Sequence, residues 1–561
     1  MLIKFLKFAL IIVLYQSPLY SKSKTLNDFN SRHLSNYFSG IVAYENNDNS
    51  QALGFFKLSK HLIKKHDLYL KSYINTLVLE GRVQQAASEI KQNLTDDNSN
   101  FFEAHLVLAL DSLKKKNYKK SRKYLQKSYE FINKDSLSSI IVETLKQYMY
   151  VFEENKISNI KNKFGNFSYI NEVFQRCYLN DKDTKVYFAN LINSQNDVNH
   201  SRYIFFYLNY LIENKEYKEA KSISDNIDYL NSSLLVSQGK KWIENQKTKE
   251  FKKIFSCKNP TDVISEFFFL VSSLYSSQEN YEKSNFYLNI SYYLNPRFKF
   301  NLSLLAENHY LNKDYVKTLK ILESFDKKDE FYHWFKLKKE AQIISKKKNK
   351  DKSLDFINLN FKKIKNPSIK IIFDIANFNK NAKQYKEAIK YYDQIILKIG
   401  TNSELYGEIL YRRGGSYERL GDYVSSDRDL LKSLEINPGD AYVLNYLAYS
   451  WLEREYKIDT SLLMLEKAYA VKSNDPYIID SIGWAYYLVN DYVKAENFLR
   501  RAVELMPEDP IVNDHYGDIL WKLDRKIQAR YFWKNVLNLE EADDEIKKNI
   551  EDKLIEGLTN S

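Results

Sequence analysis

The sequence predicts an all-α protein, a right-handed superhelical solenoid of helix-turn-helix repeats that ends in a capping helix. Three observations carry this expectation. Apolar and small residues recur at helical spacing, the pattern of one stretch returns about every 34 residues, and 14 Gly and 8 Pro in 561 residues are too few for sandwich, barrel or linker compositions. An apolar share of 44% and a charged share of 28% are those of an ordinary folded chain, so the length counts repeats and not separate domains.

The clearest unit runs from Pro476 to Pro507, PYIIDSIGWAYYLVNDYVKAENFLRRAVELMP. Ile479, Ile482, Gly483 and Tyr486 form one helical stripe, and Ala495, Leu499 and Ala502 form a second after the turn Asn490-Asp491-Tyr492. Gly483 and Ala495 mark the crossing of the two helices, where close axes leave no room for a side chain. Pro507 closes the second helix, because proline cannot continue it and disfavours helix in the residue before it.

The same unit appears downstream as Asn513, Tyr516, Gly517 and Leu520 followed by Ala529, Trp533 and Val536. Upstream it appears as Leu444, Leu447, Ala448 and Trp451 followed by Leu465 and Ala468, and before that as Leu410, Gly414 and Tyr417 followed by Tyr423 and Leu430. These residues resemble the tetratricopeptide repeat, whose period is about 34 residues. Earlier units fit less closely. They are anchored by Gly40, Ala52 and Phe56; by Tyr73, Leu77 and Gly81; by Ala109, Ser121 and Leu125; by Ser272, Ser284 and Leu288; by Ala306 and Leu322; and by Ala376, Ala388 and Tyr392. Residues 136–200 carry a poor pattern, open to two degenerate units or an irregular insertion. The resulting organisation is a signal peptide over 1–21, divergent repeats over 33–400, a well-formed block over 401–540, and a capping helix with its tail over 541–561. In the cap, Ile546, Ile550, Leu554 and Leu558 share one face.

The resemblance implies binding on the concave surface lined by the first helix of each unit. Residues about 100 degrees from the core stripe are then groove residues. They are Tyr442, Asn445 and Tyr449; Tyr477, Asp480, Trp484 and Tyr487; and Asp514, Asp518 and Trp521. Aromatics interspersed with carboxylates suit an extended peptide or a partner's helix, and this acidic wall points to a basic or apolar partner segment. The C-terminal block, about a quarter of the chain, is also similar to exported tetratricopeptide proteins of Gram-negative bacteria, especially alphaproteobacteria. Some of these act as adaptors for periplasmic proteases or envelope assembly factors.

The start MLIKFLKFALIIVLYQSPLYSKSK pairs Lys4 and Lys7 with an apolar run from Phe8 to Tyr15 that is too short to span a bilayer. It reads as a secretory signal, with an uncleaved anchor as the other reading, and it sets the expected location as periplasmic. Cys177 and Cys257 are 80 positions apart, more than two repeats along a solenoid. The expectation is therefore two unpaired, half-buried thiols. From 401 to 561 there are 20 Lys and Arg against 30 Asp and Glu, and the rest of the chain carries the excess of base behind the overall +12. That basic part is read as solvated helix faces, with peripheral contact to an anionic membrane as a further expectation; no nucleic-acid partner is expected.

No nucleophile, second histidine or glycine-rich phosphate loop accompanies His515, so it reads as a polar groove or surface histidine and the chain as no enzyme. No cofactor or metal is expected, since only His61 and His66 approach ligand spacing and both lie among lysines. The function expected is a non-enzymatic periplasmic scaffold whose groove holds an envelope protein such as a periplasmic protease or an assembly factor. The alternative is an envelope-polysaccharide or outer-membrane assembly factor whose aromatic wall stacks on sugars.

Overall fold

The computed structural model describes residues 31–558 apart from 64–66, 95–100, 133–136, 159–163, 194–200, 229, 231 and 404. The proposed signal segment lies outside the described residues. The described residues form 30 α-helices and no strand, most of the helices in consecutive antiparallel pairs. None of these helices is long and apolar enough to cross a membrane. The chain divides into two compact units, 1–336 and 337–561, and the division falls within the helix Glu330–Lys347.

The turn inside each pair follows from local chemistry. The first helix ends on a residue with positive φ, the next residue caps the second helix, and a tyrosine often follows. Asp48, Asn117, Asn280, Asp314, Asp422 and Asp491 each accept a hydrogen bond from the backbone N–H three residues on, at 3.0 to 3.2 Å. Gly421 and Asn490 suit the left-handed position before the cap, but Lys116, Glu279, Lys313 and Lys383 also occupy it. Between pairs, Asp475 and Asp509 cap helices whose first residue is a proline, where a missing N–H costs nothing.

The crossing of each pair is set by small residues. Where the unit has serine in place of Ala495, the hydroxyl reaches the first helix: Ser121 donates to the Ala109 carbonyl at 2.7 Å, Ser284 to Ser272 at 2.8 Å and Ser353 to Ala341 at 2.7 Å. A Cβ on Gly483 would stand 2.7 Å from Leu499 Cγ, and one on Gly517 would stand 2.4 Å from the Trp533 ring. The large residue sixteen positions after the glycine fills the space the glycine leaves, as Phe56 does for Gly40 and Leu430 for Gly414.

The first unit departs from a stack in which repeats touch only their neighbours. The Asn289 side chain donates to the Leu79 carbonyl at 3.0 Å, Tyr44 donates to Glu282 at 2.7 Å, and Tyr293 donates to Asp111 at 3.1 Å. Lys114 lies over the Tyr293 ring, and Lys317 pairs with Glu80 at 3.3 Å. Segments some two hundred residues apart in sequence are therefore in contact within this unit.

The same folding back overturns the expectation of free thiols. Cys177 and Cys257 form a disulfide, with their Cα atoms 5.6 Å apart. The irregular region explains why counting repeats misplaces them. Residues 137–154 form one long helix, and Asn166–Leu179 with Thr184–Asn193 form a short pair, so the regular rise per unit is broken there. Phe174, Phe206 and Phe298 all pack on Phe255 beside the disulfide. Nearby, Arg202 makes a two-pronged pair with buried Glu266 at 2.8 and 2.7 Å while its guanidinium lies over Phe269 at 3.8 Å. The abundance of aromatics in the composition is spent largely in this core.

Two tests follow from this geometry. In denaturant without reductant the chain should take up no thiol label, and after reduction it should take up label at both cysteines; labelling before reduction would refute the bridge. Gly421→Ala should destabilise the second unit by about 1 kcal/mol in denaturant melts, the cost of a Cβ at positive φ, while Lys383→Gly should not destabilise it.

Candidate functional site

The candidate site lies in the second unit, on the first helices of its last repeats: Ala441–Leu452, Pro476–Leu488 and Pro510–Lys522. Apolar residues such as Leu447, Ile482 and Ile519 fix each of these helices in the core, which leaves the adjoining stripe to face its equivalents one repeat away. Successive stripes meet because the repeat period brings residue i beside residue i+34 or i+35.

The meeting centres on His515, which is only 6% exposed. Its Nδ1 lies 2.9 Å from Asp480 Oδ2 and 3.1 Å from Oδ1, and its ring stacks on Trp484 with centroids 4.2 Å apart and planes 13° apart. Trp484 stacks in turn on Tyr487 at 4.6 Å, and Tyr449, two repeats before His515, approaches its ring at 6.4 Å. Four rings from three helices thus form one ladder. Burial opposes a charge on His515, but Asp480, Asp514 and Asp518 outweigh it and hold the pKa above the ordinary histidine value.

The acidic end of the expected wall is occupied from within. Lys553, on the capping helix Asp544–Glu556, pairs with Asp514 at 2.6 Å and with both oxygens of Asp518 at 2.9 Å. Asp518 also accepts from Trp533 Nε1 at 3.0 Å. Burial, with Asp514 beside it, raises the Asp518 pKa, and Lys553 works against that rise. Trp521 is covered by Gly557, whose backbone lies directly on the indole, and by Trp533, Lys526 and Arg530.

The ten sequence-predicted residues therefore separate into groups. Tyr449, Asp480, Trp484 and Tyr487 come together around His515. Asp514, Asp518 and Trp521 come together under the cap, and buried Asp480 and Asp518 have their charges engaged within the chain. Tyr442 and Tyr477 stand at the starts of their helices, 50% and 61% exposed, and Asn445 is half-buried. His515, expected as a polar groove or surface histidine, is a buried member of the stripe and not a surface residue. Its spacing of 35 from Asp480 and 31 from Trp484 was the signal, since residues about one period apart on first helices are spatial neighbours. Lys553, three positions after Ile550 on the capping stripe, is the other partner that sequence reasoning passed over.

The architecture is that of an all-α repeat protein, and no family model matches the chain. It is similar to a tetratricopeptide repeat-containing protein of Pseudomonas aeruginosa, at 29% identity over 110 residues that make up 20% of this chain and 18% of that protein. The chain thus matches less than a fifth of that relative's length. Among solved structures, a MamA protein from Desulfovibrio magneticus aligns at 23% identity over 31% of this chain and 97% of its own, with a TM-score of 0.27. A tetratricopeptide protein of Thermus thermophilus aligns at 16% identity over 34% of this chain and all of its own, with a TM-score of 0.30. The repeats of this chain are similar to tetratricopeptide repeats.

A histidine whose pKa is higher folded than unfolded stabilises fully below the unfolded value, about 6.5, and loses that contribution as pH rises through the folded pKa. The His515 ring should therefore titrate above 6.5 by NMR. Asp480→Asn should lower that midpoint, because it removes the hydrogen-bonded charge and leaves burial; an unchanged midpoint would refute the pairing.

Proposed function

We propose that this chain is a non-enzymatic protein-interaction scaffold that holds a segment of another protein along the first helices of its second unit. The observation that carries the reading is the ring ladder Tyr449, His515, Trp484 and Tyr487, with Tyr442 and Tyr477 exposed beside it. Rings fixed by stacking lose little conformational freedom when a partner covers them, and each offers a large apolar face with a polar edge. Within this reading Tyr449, Trp484 and Tyr487 contact the partner, while Asp480 positions His515 beneath them. Asp514, Asp518 and Trp521 anchor the cap and hold the end of the groove in shape.

We place the protein in the bacterial periplasm. The apolar run after Lys4 and Lys7 supports export, and a Cys177–Cys257 disulfide suits an oxidising compartment. The partner is then an envelope protein, of which a protease or assembly factor is one kind. His515, the one residue that invites a catalytic reading, has Nδ1 committed to Asp480 and one face committed to Trp484, which favours a structural role.

The test is a crosslinking capture from the native host with tagged wild type and Trp484→Ala/Tyr487→Ala, compared by mass spectrometry. A set of envelope proteins should be captured at least about tenfold less by the variant, since a desolvated aromatic anchor is worth about 2 kcal/mol or more. Equal capture at unchanged helix content would overturn the site.

A further inference from the structure

Where the first unit folds back on itself it encloses a cavity. Residues from 46–50 and 79–81, with the helices Tyr281–Leu294, Phe300–Leu311 and Tyr315–Leu322, line a volume of about 790 Å³. That volume falls within the usual range for a small-molecule site. Its walls are tied to each other, since Asn289 Nδ2 donates to the Leu79 carbonyl at 3.0 Å and Lys317 pairs with Glu80 at 3.3 Å. Contacts between segments about two hundred residues apart therefore build the cavity, and no single repeat contains it.

The inner part of the lining is apolar, with Leu302 and Leu305 buried and Leu79, Ile321 and Tyr292 half-buried. One polar atom is set among them. Asn289 is 6% exposed, and its Oδ1 accepts from no donor among the described residues. That oxygen lies beside Gly81 on the cavity wall, where an added Cβ would stand 3.6 Å from it. A buried acceptor without a donor costs free energy unless a donor reaches it through the cavity. The outer part carries three exposed amides, Asn46, Asn47 and Asn312. The carboxylates of the lining are engaged: Asp48 accepts from the Gln51 N–H at 3.1 Å, Glu80 pairs with Lys317, and Asp314 accepts from the Lys317 N–H at 3.0 Å with His309 Nδ1 3.6 Å away. Lys313 and Lys320 are exposed and form no ion pair among the described residues. The cavity thus has spare ammonium charge and no spare carboxylate.

We propose that this cavity binds an acidic oligosaccharide, a short glycan that carries carboxylate groups. The carbon-bound hydrogens of a sugar ring lie against Tyr292 and the leucines. A hydroxyl both donates and accepts, as an asparagine amide does, so the hydroxyls pair with the outer amides and supply the donor that Asn289 Oδ1 lacks. The carboxylate takes up Lys313 and Lys320. A fatty acid would satisfy the ammonium groups and the apolar lining but leave the amides without partners. The site is separate from the ring ladder and does not depend on it.

The test is isothermal titration calorimetry of the purified full chain with trigalacturonate. Maltotriose, which lacks the carboxylates, and triglutamate, which lacks the sugar rings, are the comparison ligands. Trigalacturonate should bind, and Lys313→Gln/Lys320→Gln should weaken that binding at least about tenfold, the worth of a charge-assisted hydrogen bond. Maltotriose should bind more weakly by a similar factor. Tyr292→Leu should also weaken trigalacturonate, which a purely electrostatic contact would not require. Lys327→Gln/Lys328→Gln removes the same charge from exposed positions outside the lining and should leave binding unchanged. Absence of trigalacturonate binding, equal losses in the two lysine variants, or triglutamate binding as tightly as trigalacturonate would each overturn the proposal. Both lysine pairs are exposed, so neither change should disturb the fold, and circular dichroism with melting verifies this. Trp484→Ala/Tyr487→Ala should retain trigalacturonate binding, so that failure of the ladder and failure of this cavity are read separately.

Discussion

The close approach of two helices at a residue without bulk is the constraint on which the rest of the structure depends. Gly483 beneath Leu499 and Gly517 beneath Trp533 leave no space for a Cβ, and the serines that replace Ala495 elsewhere reach the facing backbone at hydrogen-bond distance. Once the pair is closed in this way, its second apolar stripe has nowhere to go but the next pair. The period of about 34 residues is the sequence record of that geometry. It also explains the functional stripe: if cores stack at a fixed interval, the residues beside them stack at the same interval, and Asp480 meets His515 without any special loop.

The end of the array solves a different problem from its middle. The pair that ends at Val536 is followed by the single helix Asp544–Glu556, which covers it with Ile550 buried and Ile546 and Leu554 half-buried. Lys553 adds a polar function to the cap. Two neighbouring carboxylates, one of them buried, would repel each other and resist burial, and a single ammonium inserted between them offsets both costs. The acidic groups of the last repeat are thereby part of the stability of the unit.

Legibility differed between the units for a physical reason. In 401–540 each small residue recurs in register, because a pair that touches only its neighbours repeats the same contacts, and the helix bounds and core positions can be read directly. In 31–336 the packing is not nearest-neighbour. Tyr293 reaches Asp111, Asn289 reaches Leu79, and Phe255 gathers rings from several helices, so each position answers to a unique environment and the pattern blurs. The disulfide belongs to the same class of fact, since a contact across 80 residues leaves no periodic trace. Of the site, the aromatic stripe was readable from helical geometry, but the neighbours that decide which members are free were not.

By itself the sequence determined the helical class, the repeat period, the turn chemistry at Asp422 and Asp491, and the stripe bearing Tyr449, Trp484 and Tyr487, because all of these are set by residues within one or two repeats. Only the tertiary structure decided that His515 is a buried rung of the ladder, that Lys553 consumes Asp514 and Asp518, and that Cys177 meets Cys257. Each of those outcomes depends on how charges and rings from separate repeats share a small volume. Burial and pairing energies of that kind are properties of the assembled neighbourhood and not of any residue in it.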